Sequence, residues 1–479
     1  MKLLNMLALA SAATAHTLFT TLYINGKNQG DGTCVRMPKS GATGTSPIYP
    51  ITGDAMACGS NKPRTNTLSS PPALGYGGRD PVPFVCPAAS GAKLTFEFRL
   101  WPDAQHPGAI DEGHKGPCAV YLKRVDDMFA DPPAGDGWFK IWDDGYDSET
   151  KEWCSDRLRA HDGLLSVNLP TGLAPGYYLV RPEILALHFA YKGDPQFFLG
   201  CAQIFVQGGP AGAVIPKDKT VSIPGYVNAQ TPGLGFDINK EPLPAYPMPG
   251  PAVYLPPAAP PSSSVQALKQ AAQQQQQQLS KGAVPQTCLI KNANWCAKEV
   301  APYTDMEGCW AAVKECYAQS KVCWDSARAS GSANCYTWSD YCTAMNDACE
   351  REEFQGPPAF DGKEKYATAP DDIPEPWGHR IAERGDTEMG GVEERVTATT
   401  SQAPPGEPAC TKTARAGDGK TIGGGGLKWD VSKDGKCGPE FGQTCSGSAF
   451  GNCCSKNMQC GSDARHCSCG CSPEYGSCW

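Results

Sequence analysis

The sequence predicts an all-β, immunoglobulin-like antiparallel sandwich, followed by a small α-helical hairpin and a second small disulfide-rich module. Short alternating strands between Gly- and Pro-rich turns fill the first half of the 479-residue chain. A seven-residue cysteine spacing indicates the hairpin, and a dense cysteine cluster ends the chain. The 24 cysteines form clusters of six, eight and ten, so each module can close its own bridges.

The first 15 residues are predicted to be a signal peptide. Lys2 precedes an apolar run over residues 3–13, and Ala13 and Ala15 form the small-x-small pattern that signal peptidase cuts. Cleavage after Ala15 makes His16 the first residue, whose free α-amine and ring Nδ1 can chelate a metal together. The leader and the cysteine count predict a secreted, extracellular protein in an oxidising compartment.

The net charge and the hydropathy of the chain restrict the classes of binding partner. The formal net charge is −8, whereas nucleic-acid binding rewards dense Lys and Arg. No further apolar run is long enough to cross a membrane. We therefore expect neither nucleic acid nor a membrane as partner, and a monomeric protein.

Residues 16–255 read as the sandwich. Residues 94–100 alternate apolar and polar side chains, as a half-buried strand does. Further candidate strands cover residues 118–125, 165–169, 177–180 and 203–206. Such a sandwich can present a site on loops at one end or face.

Two histidines in this region are candidate ligands or catalytic groups. His114 lies in a turn-rich segment before a predicted strand, and His188 is followed eight residues later by Gln196. Gln196 and Phe198 share one face if this segment is a strand. Taken alone, His188 is better explained by a packed histidine near the core, and His114 by a loop histidine in solvent.

Several motifs together resemble a known family. They are the junction before His16, GHKGP at residues 113–117, ALH at 186–188, PQFFLGC at 195–201 and YPMPGP at 246–251. In this order they resemble the fungal lytic polysaccharide monooxygenases of auxiliary activity family 9. The resemblance covers roughly the first half of the chain.

This resemblance implies a copper-dependent enzyme that cuts β-1,4-linked polysaccharide by hydrogen abstraction at C1 and/or C4. His16 and His114 would bind one copper ion, an arrangement of nitrogen donors that suits Cu(II). His188 and Gln196 would hydrogen-bond the bound oxygen species, beside Phe198 at the axial position. The co-substrate would be oxygen or hydrogen peroxide, and a small reductant or a dehydrogenase would supply electrons. Insoluble cellulose is the expected substrate, with xyloglucan, another hemicellulose, or chitin as alternatives.

The chain departs from the family at two positions. Phe198 stands where the family usually has a tyrosine, so the weak axial oxygen is lost. Related copper monooxygenases of other families use phenylalanine here. Pro182 stands where many members carry a histidine that is not part of the copper site.

A non-catalytic role is the alternative. The altered axial position leaves open a copper-holding or cell-wall polysaccharide-binding protein without oxygenase activity, or a structural wall protein.

The resemblance also implies a Cys58–Cys201 bridge, after which Cys118–Cys154 and Cys34–Cys86 are the remaining pairs.

A Pro- and Gln-rich linker is predicted over residues 256–287, and a cysteine-laddered helical hairpin over 288–352. Facing residues of an antiparallel pair have a constant index sum, which three cysteine pairs satisfy. They are Cys309–Cys349, Cys316–Cys342 and Cys323–Cys335, with Cys288 and Cys296 as a local pair. Trp310, Trp324 and Trp338 are candidates for binding a polymer, although core packing explains most of them better.

Residues 353–409 are predicted to be a disordered linker, because they are polar and poor in apolar side chains. Residues 410–479 resemble a hevein-like chitin-binding module of carbohydrate-binding family 18. Its cysteine framework consists of Cys437, Cys445, Cys453, Cys454, Cys460, Cys467, Cys471 and Cys478, and Cys410 and Cys469 can pair with each other.

Ser455 matches the sugar-binding serine of such modules. The usual aromatic positions hold Asn457, Gln459 and His466 instead. The expected chitin affinity is therefore low, since stacking surface is lost. Alternatively the module recognises another ligand through Phe441, Phe450, Tyr475 or Trp479.

Overall fold

The computed structural model describes thirteen stretches of the chain: residues 17–38, 45–59, 78, 80–102, 108–257, 281–327, 330–365, 372–377, 430–438, 441, 443–455, 458–461 and 475. The chain forms two units, residues 1–384 and 385–479. The predicted signal peptide and His16 lie outside the described residues.

The first sheet of the sandwich has four antiparallel strands in the order β2-β1-β4-β9. Their bounds are Leu18–Ile24 (β1), Lys27–Asn28 (β2), Lys93–Arg99 (β4) and Leu164–Asn168 (β9). The alternation at residues 94–100 thus correctly predicts a strand.

The second sheet has seven strands, in the order β13-β6-β5-β10-β12-β3 with β11 also paired to β10. Their bounds are Cys86–Ala89 (β3), Cys118–Val125 (β5), Gly135–Asp144 (β6), Gly176–Ala186 (β10), Gln196–Leu199 (β11), Ala202–Gln207 (β12) and Val221–Ile223 (β13). One edge differs from the predicted antiparallel arrangement, since β3 runs parallel to β12. Strands this far apart in sequence can pair in either direction, so side-chain alternation does not reveal the direction.

The main core lies between the two sheets. Phe19 of β1 packs edge-on against Phe96 of β4, with ring centroids 5.5 Å apart. The seven-stranded sheet also buries its other face, where Trp138 and Leu179 belong to a second cluster. Because both faces are covered, β10 is buried almost throughout.

A short hairpin and two short helices complete the sandwich. The hairpin pairs Tyr146–Asp147 (β7) with Glu152–Trp153 (β8). The helices are Ala55–Cys58 (α1) and Cys154–Ala160 (α2). Disulfides Cys34–Cys86, Cys58–Cys201 and Cys118–Cys154 tie loops and helices to the sheets. These are the three pairs that the family resemblance and the remaining cysteines suggest.

The second cysteine cluster forms two long helices, Met306–Ser326 (α3) and Ala333–Glu350 (α4), preceded by the hairpin of Lys291–Asn292 (β14) and Trp295–Cys296 (β15). Asp305 caps α3 by accepting a hydrogen bond from Gly308 N at 2.8 Å. The bridges Cys309–Cys349, Cys316–Cys342 and Cys323–Cys335 join the helices. They are the pairs that the constant index sum predicts, and Cys288–Cys296 closes locally.

The helical module is docked on the sandwich. The buried Asn294 side chain donates to Gly32 O at 2.7 Å and accepts from Cys34 N at 2.9 Å. Thr33 Oγ1 donates to Ala293 O at 2.9 Å. The Asn294 side-chain amide therefore both donates to and accepts from the backbone of the loop after β2. These hydrogen bonds hold the helical module on the sandwich.

Two stretches of the predicted second linker, residues 353–365 and 372–377, are described. Phe360 packs against Trp338 of the helical core, with ring centroids 5.5 Å apart. Trp142 Nε1 of the sandwich donates to Trp377 O at 3.0 Å. The prediction of disorder from residue 353 is thus wrong for residues 353–365 and 372–377, because a few aromatic side chains in a polar stretch suffice to anchor it.

The described part of the second unit contains two short pairs of strands. They are Asp430–Val431 (β16) with Gln443–Thr444 (β17), and Cys453–Cys454 (β18) with Cys460–Gly461 (β19). Bridges Cys437–Cys454 and Cys445–Cys460 link them. Of the other predicted positions, Cys410, Asn457, His466, Cys467, Cys469, Cys471, Cys478 and Trp479 lie outside the described residues. No described helix has the length and apolar character needed to span a membrane.

Candidate metal centre

His114 lies in the loop that leads into β5, and its side chain is buried. Its backbone N–H donates to Asp111 O at 3.0 Å, which forms a tight turn. The Asp111 carboxylate accepts from Gly113 N at 2.8 Å, and its Oδ1 lies 3.6 Å from Nδ1 of His114. This turn holds the imidazole in place and presents a carboxylate to its Nδ1 side.

The segment after His114 extends the pairing between β5 and β10. Leu187 N donates to Lys115 O at 2.8 Å, and Leu185 N donates to Pro117 O at 3.0 Å. His188 follows directly after this paired segment. The extended ladder therefore brings two residues that are far apart in sequence to one end of the sheet.

Gly116 lies in close contact with α2 on one side and with β10 on the other. Its N–H donates to Ser155 Oγ of α2 at 2.9 Å, and Ser155 N donates back to Gly116 O at 3.2 Å. A Cβ on Gly116 would clash with the carbonyl oxygen of Leu185. Only glycine allows the backbone to approach β10 this closely.

We expect Gly116→Ala to displace the His114 segment from β10. The predicted cost is about 1–3 kcal/mol in the free energy of unfolding, as for other overpacked sites, since a backbone atom is the obstacle. We also expect roughly tenfold weaker copper binding, comparable to other lost supports of a metal ligand. Urea unfolding and calorimetric copper titration measure the two effects.

Gly235→Ala is the matched control for this change, because a Cβ there meets no heavy atom within 4 Å. It should alter the unfolding free energy by less than about 0.5 kcal/mol. Equal behaviour of the two variants would mean that the close approach at Gly116 does not position His114.

His188 packs directly on His114, with ring centroids 4.2 Å apart. Its ring also contacts the exposed Phe189 at 4.3 Å. Partial burial lowers the pKa of His188, which favours the neutral imidazole. Its Nδ1 is buried with no hydrogen-bond partner among the described residues, so a polar atom of the site is available to a ligand.

Gln196 and Phe198 reach this end of the sheet on β11. Gln196 pairs with Ala186 and Phe198 with Ile184 of β10. The Phe198 ring lies 5.7 Å from that of His114, while Gln196 Nε2 donates to Asp194 Oδ2 at 3.3 Å. The rings of His188 and Phe198 thus both lie near that of His114, and Gln196 lies two residues before Phe198 on the same strand.

The first described residue, Thr17, lies at the same end of the sandwich. Its Oγ1 donates to Ala109 O at 2.6 Å, in the loop that continues to Asp111 and His114. Thr17 and Phe198 also line one small cavity. The chain therefore enters β1 beside the loop that carries His114.

The imidazole side chains at this end of the sandwich are donors that suit a copper ion. Cu(II) prefers nitrogen and oxygen ligands in a tetragonal arrangement, and His114 offers a buried imidazole next to a second one. Elsewhere in the described residues, the cysteines 437, 445 and 454 lie close enough to share a metal. Their sulfurs are already in disulfides, so they are not available as thiolate ligands.

Two further residues, Asp111 and Ser155, support this site without being predicted from the sequence. The role of Asp111 could have been predicted, because an acidic residue three positions before a candidate ligand can reach the ring of that ligand. The role of Ser155 could not have been predicted, since it depends on how α2 packs against residue 116. Both orient the loop and contribute no reacting group.

Comparisons with known proteins identify the family of the chain. The sequence profile of Auxiliary Activity family 9 (formerly GH61) matches residues 16–246. AA9 family lytic polysaccharide monooxygenase H of Botryotinia fuckeliana is 43% identical over 470 residues, covering 97% of this chain and 96% of that protein. AA9 family lytic polysaccharide monooxygenase C of Aspergillus tamarii is 46% identical over 357 residues, covering 74% and 90%.

A solved structure, CvAA9A, matches with 31% identity and a TM-score of 0.42, covering 50% of this chain and 98% of that one. The relative from Botryotinia fuckeliana extends the likeness across both disulfide-rich modules. The chain belongs to Auxiliary Activity family 9, the copper-dependent lytic polysaccharide monooxygenases, and is an enzyme of that class.

Proposed function

We propose that the protein binds one copper ion through the α-amine and Nδ1 of His16 and a ring nitrogen of His114. The observation that carries this proposal is the contact between the buried His114 and the half-buried His188, beside the point where the chain enters β1. Asp111 faces Nδ1 of His114, which favours a proton there and leaves Nε2 as the ligand atom. His16 directly precedes Thr17 in sequence and lies outside the described residues.

Copper, when bound, supplies the oxidising chemistry that removes a hydrogen atom from a strong C–H bond next to a glycosidic oxygen. His188 contributes a neutral imidazole with one donor and one acceptor nitrogen, and so can hold or pass a proton at the site. The Nε2 of Gln196 donates to Asp194, which leaves the Gln196 carbonyl oxygen as an acceptor. We propose that this pair hydrogen-bonds the oxygen or peroxide co-substrate.

Phe198 would lie beside a copper ion held by His114. It is 1% exposed and offers only hydrocarbon toward His114. A phenyl ring excludes water there without supplying an oxygen ligand. We propose that the site is active with this side apolar, and that its redox properties differ from those of relatives with a tyrosine.

The proposed substrate is cellulose or a related β-1,4-glucan, with hemicellulose or chitin as alternatives, oxidised at C1 and/or C4. A small reductant or a dehydrogenase would donate the electrons. The secreted protein would act as a monomer, starting at His16 after removal of residues 1–15.

For the remaining modules, we propose that the sandwich is immunoglobulin-like and that residues 410–479 form a hevein-like module. Ser455 is buried and its Oγ accepts from Gln459 N at 3.3 Å, so this hydroxyl is already engaged in a turn. The proposed chitin affinity of this module is accordingly low.

The N-terminal amine provides the decisive experiment. The secreted protein should start at His16 and release oxidised oligosaccharides from cellulose with copper and ascorbate. A form with one additional residue before His16 converts the amine to an amide, so copper binding should weaken by more than about 100-fold. N-terminal sequencing, calorimetry and mass spectrometry of products measure these results. Copper binding without oxidised products would favour the non-catalytic alternative, and an unaffected extended form would refute the proposed ligand set.

A further inference from the structure

The helical hairpin exposes a row of aromatic side chains along one face. Trp310, Tyr317 and Trp324 are 41%, 41% and 37% exposed, whereas Trp338 is 0% exposed and belongs to the module's core. The structure therefore separates the tryptophans that pack inside from those that face outward. Neither the fold nor the proposed copper site explains this row.

The spacing of this aromatic row is regular. Its members are seven residues apart on α3, so they lie on nearly the same side of the helix and are separated by about 10.5 Å along the axis. Two sugar units of an extended β-1,4-linked chain span nearly the same length. Successive rings can thus stack on every second sugar of one chain.

Hydrogen bonds across the hairpin hold the rings in place. Trp324 Nε1 donates to Ser339 Oγ at 3.1 Å, and the Tyr317 hydroxyl lies 3.3 Å from Thr343 Oγ1. Tyr336 of α4 packs edge-on against Trp324, with ring centroids 4.6 Å apart. Rings that are ordered before binding lose little conformational entropy when a ligand stacks on them.

The charges beside the row favour an uncharged ligand. The two helices carry more acidic than basic side chains: Glu307, Glu315, Asp325, Asp340, Asp347 and Glu350 against Lys314 and Lys321. Lys321 Nζ lies 2.6 Å from Asp325 Oδ2. A surface with this excess of acidic side chains repels a polyanion, while its hydroxyl and amine groups can bond the hydroxyls of an uncharged sugar chain.

We propose that the aromatic row of α3 is a second binding surface for polysaccharide, and that its ligand is the face of a cellulose crystal. A crystal face presents parallel, uncharged glucan chains whose flat C–H surfaces match a straight row of rings. This surface goes beyond the proposed copper site and needs no copper to function. It would keep the enzyme on insoluble substrate between oxidation events.

Adsorption of the full-length protein to microcrystalline cellulose tests this proposal, with EDTA present and no reductant, so that binding is measured apart from oxidation. The Trp310→Ala/Trp324→Ala variant should partition onto cellulose about tenfold less than the wild type, because two stacking surfaces are lost. Val322→Ala is the control, since this exposed α3 residue lies off the row. It should adsorb like the wild type.

Further measurements separate the outcomes. Far-UV circular dichroism of both variants should match the wild type, because the exposed rings are not part of the helical core and three disulfides join the two helices. Unchanged cellulose adsorption by the folded double variant would overturn the proposal, and so would row-dependent adsorption to chitin in the absence of cellulose binding. Copper affinity should stay at the wild-type value in the double variant, so failure of this surface is distinguishable from failure of the copper site.

Discussion

His114→Ala is expected to weaken copper binding by more than about 100-fold and to abolish the release of oxidised oligosaccharides from cellulose. The substitution removes the only proposed ligand outside the first residue. It also removes the ring that packs on His188 at 4.2 Å. Calorimetric copper titration and the Cu(II) electron paramagnetic resonance spectrum report the loss directly, without depending on turnover.

His161→Ala is the matched control, because this histidine is exposed at the end of α2 and its ring contacts Trp377, outside the proposed centre. It should retain the wild-type spectrum and product pattern. If His114→Ala folds normally and still binds copper with wild-type affinity, the metal lies elsewhere and the proposed centre is wrong. A structural wall protein would show no change in either variant.

Glu183→Ala is expected to lower the free energy of unfolding of the sandwich by about 3–5 kcal/mol, as when one partner of a buried ion pair is removed. Arg181 is fully buried on β10, and its Nη2 lies 2.6 Å from Glu183 Oε2. Burial alone would lower the pKa of Arg181, but the Glu183 carboxylate and the neighbouring Tyr226 and Tyr121 keep it above its ordinary value. Without Glu183, the guanidinium stays charged in an apolar setting.

Near-UV circular dichroism during urea unfolding follows this change, because the network is surrounded by aromatic rings. Asp218→Ala serves as the control, since it removes an exposed pair with Lys219 and should cost about 0–1 kcal/mol. A combined Arg181→Met/Glu183→Leu variant should recover most of the loss, since no charge then remains buried. A double variant as unstable as the single one would show that packing, and not the unpaired charge, causes the effect.

The cysteine ladder shows what local periodicity can determine. The seven-residue spacings identify two helices, and the antiparallel geometry then allows only one set of facing pairs, which the structure contains. The strand at residues 94–100 is predictable for the same reason, because alternation with period two is a property of the chain itself.

The candidate site was predictable only in part. Sequence motifs identify His114, His188, Gln196 and Phe198 through resemblance, whereas periodicity would leave each histidine as an ordinary packed or solvated side chain. The contact between His114 and His188 depends on residues 115–117 pairing with the end of β10. That pairing in turn requires glycine at 116 and the hydroxyl of Ser155 on a separate helix.

The sequence alone determined the β-sandwich and the paired helices with their disulfides, since these follow from periodicity and motifs along the chain, and its motifs predict the residue types of the proposed copper site. Only the tertiary structure decided that Asn294 docks the helical module on the sandwich, that β3 pairs in parallel, and that Trp377 anchors the predicted linker. It also decided that Trp338 is core while Trp310 and Trp324 face outward. The physical reason is that these outcomes depend on contacts between segments far apart in sequence. A single side chain can form such a contact, and the spacing of nearby residues does not predict it.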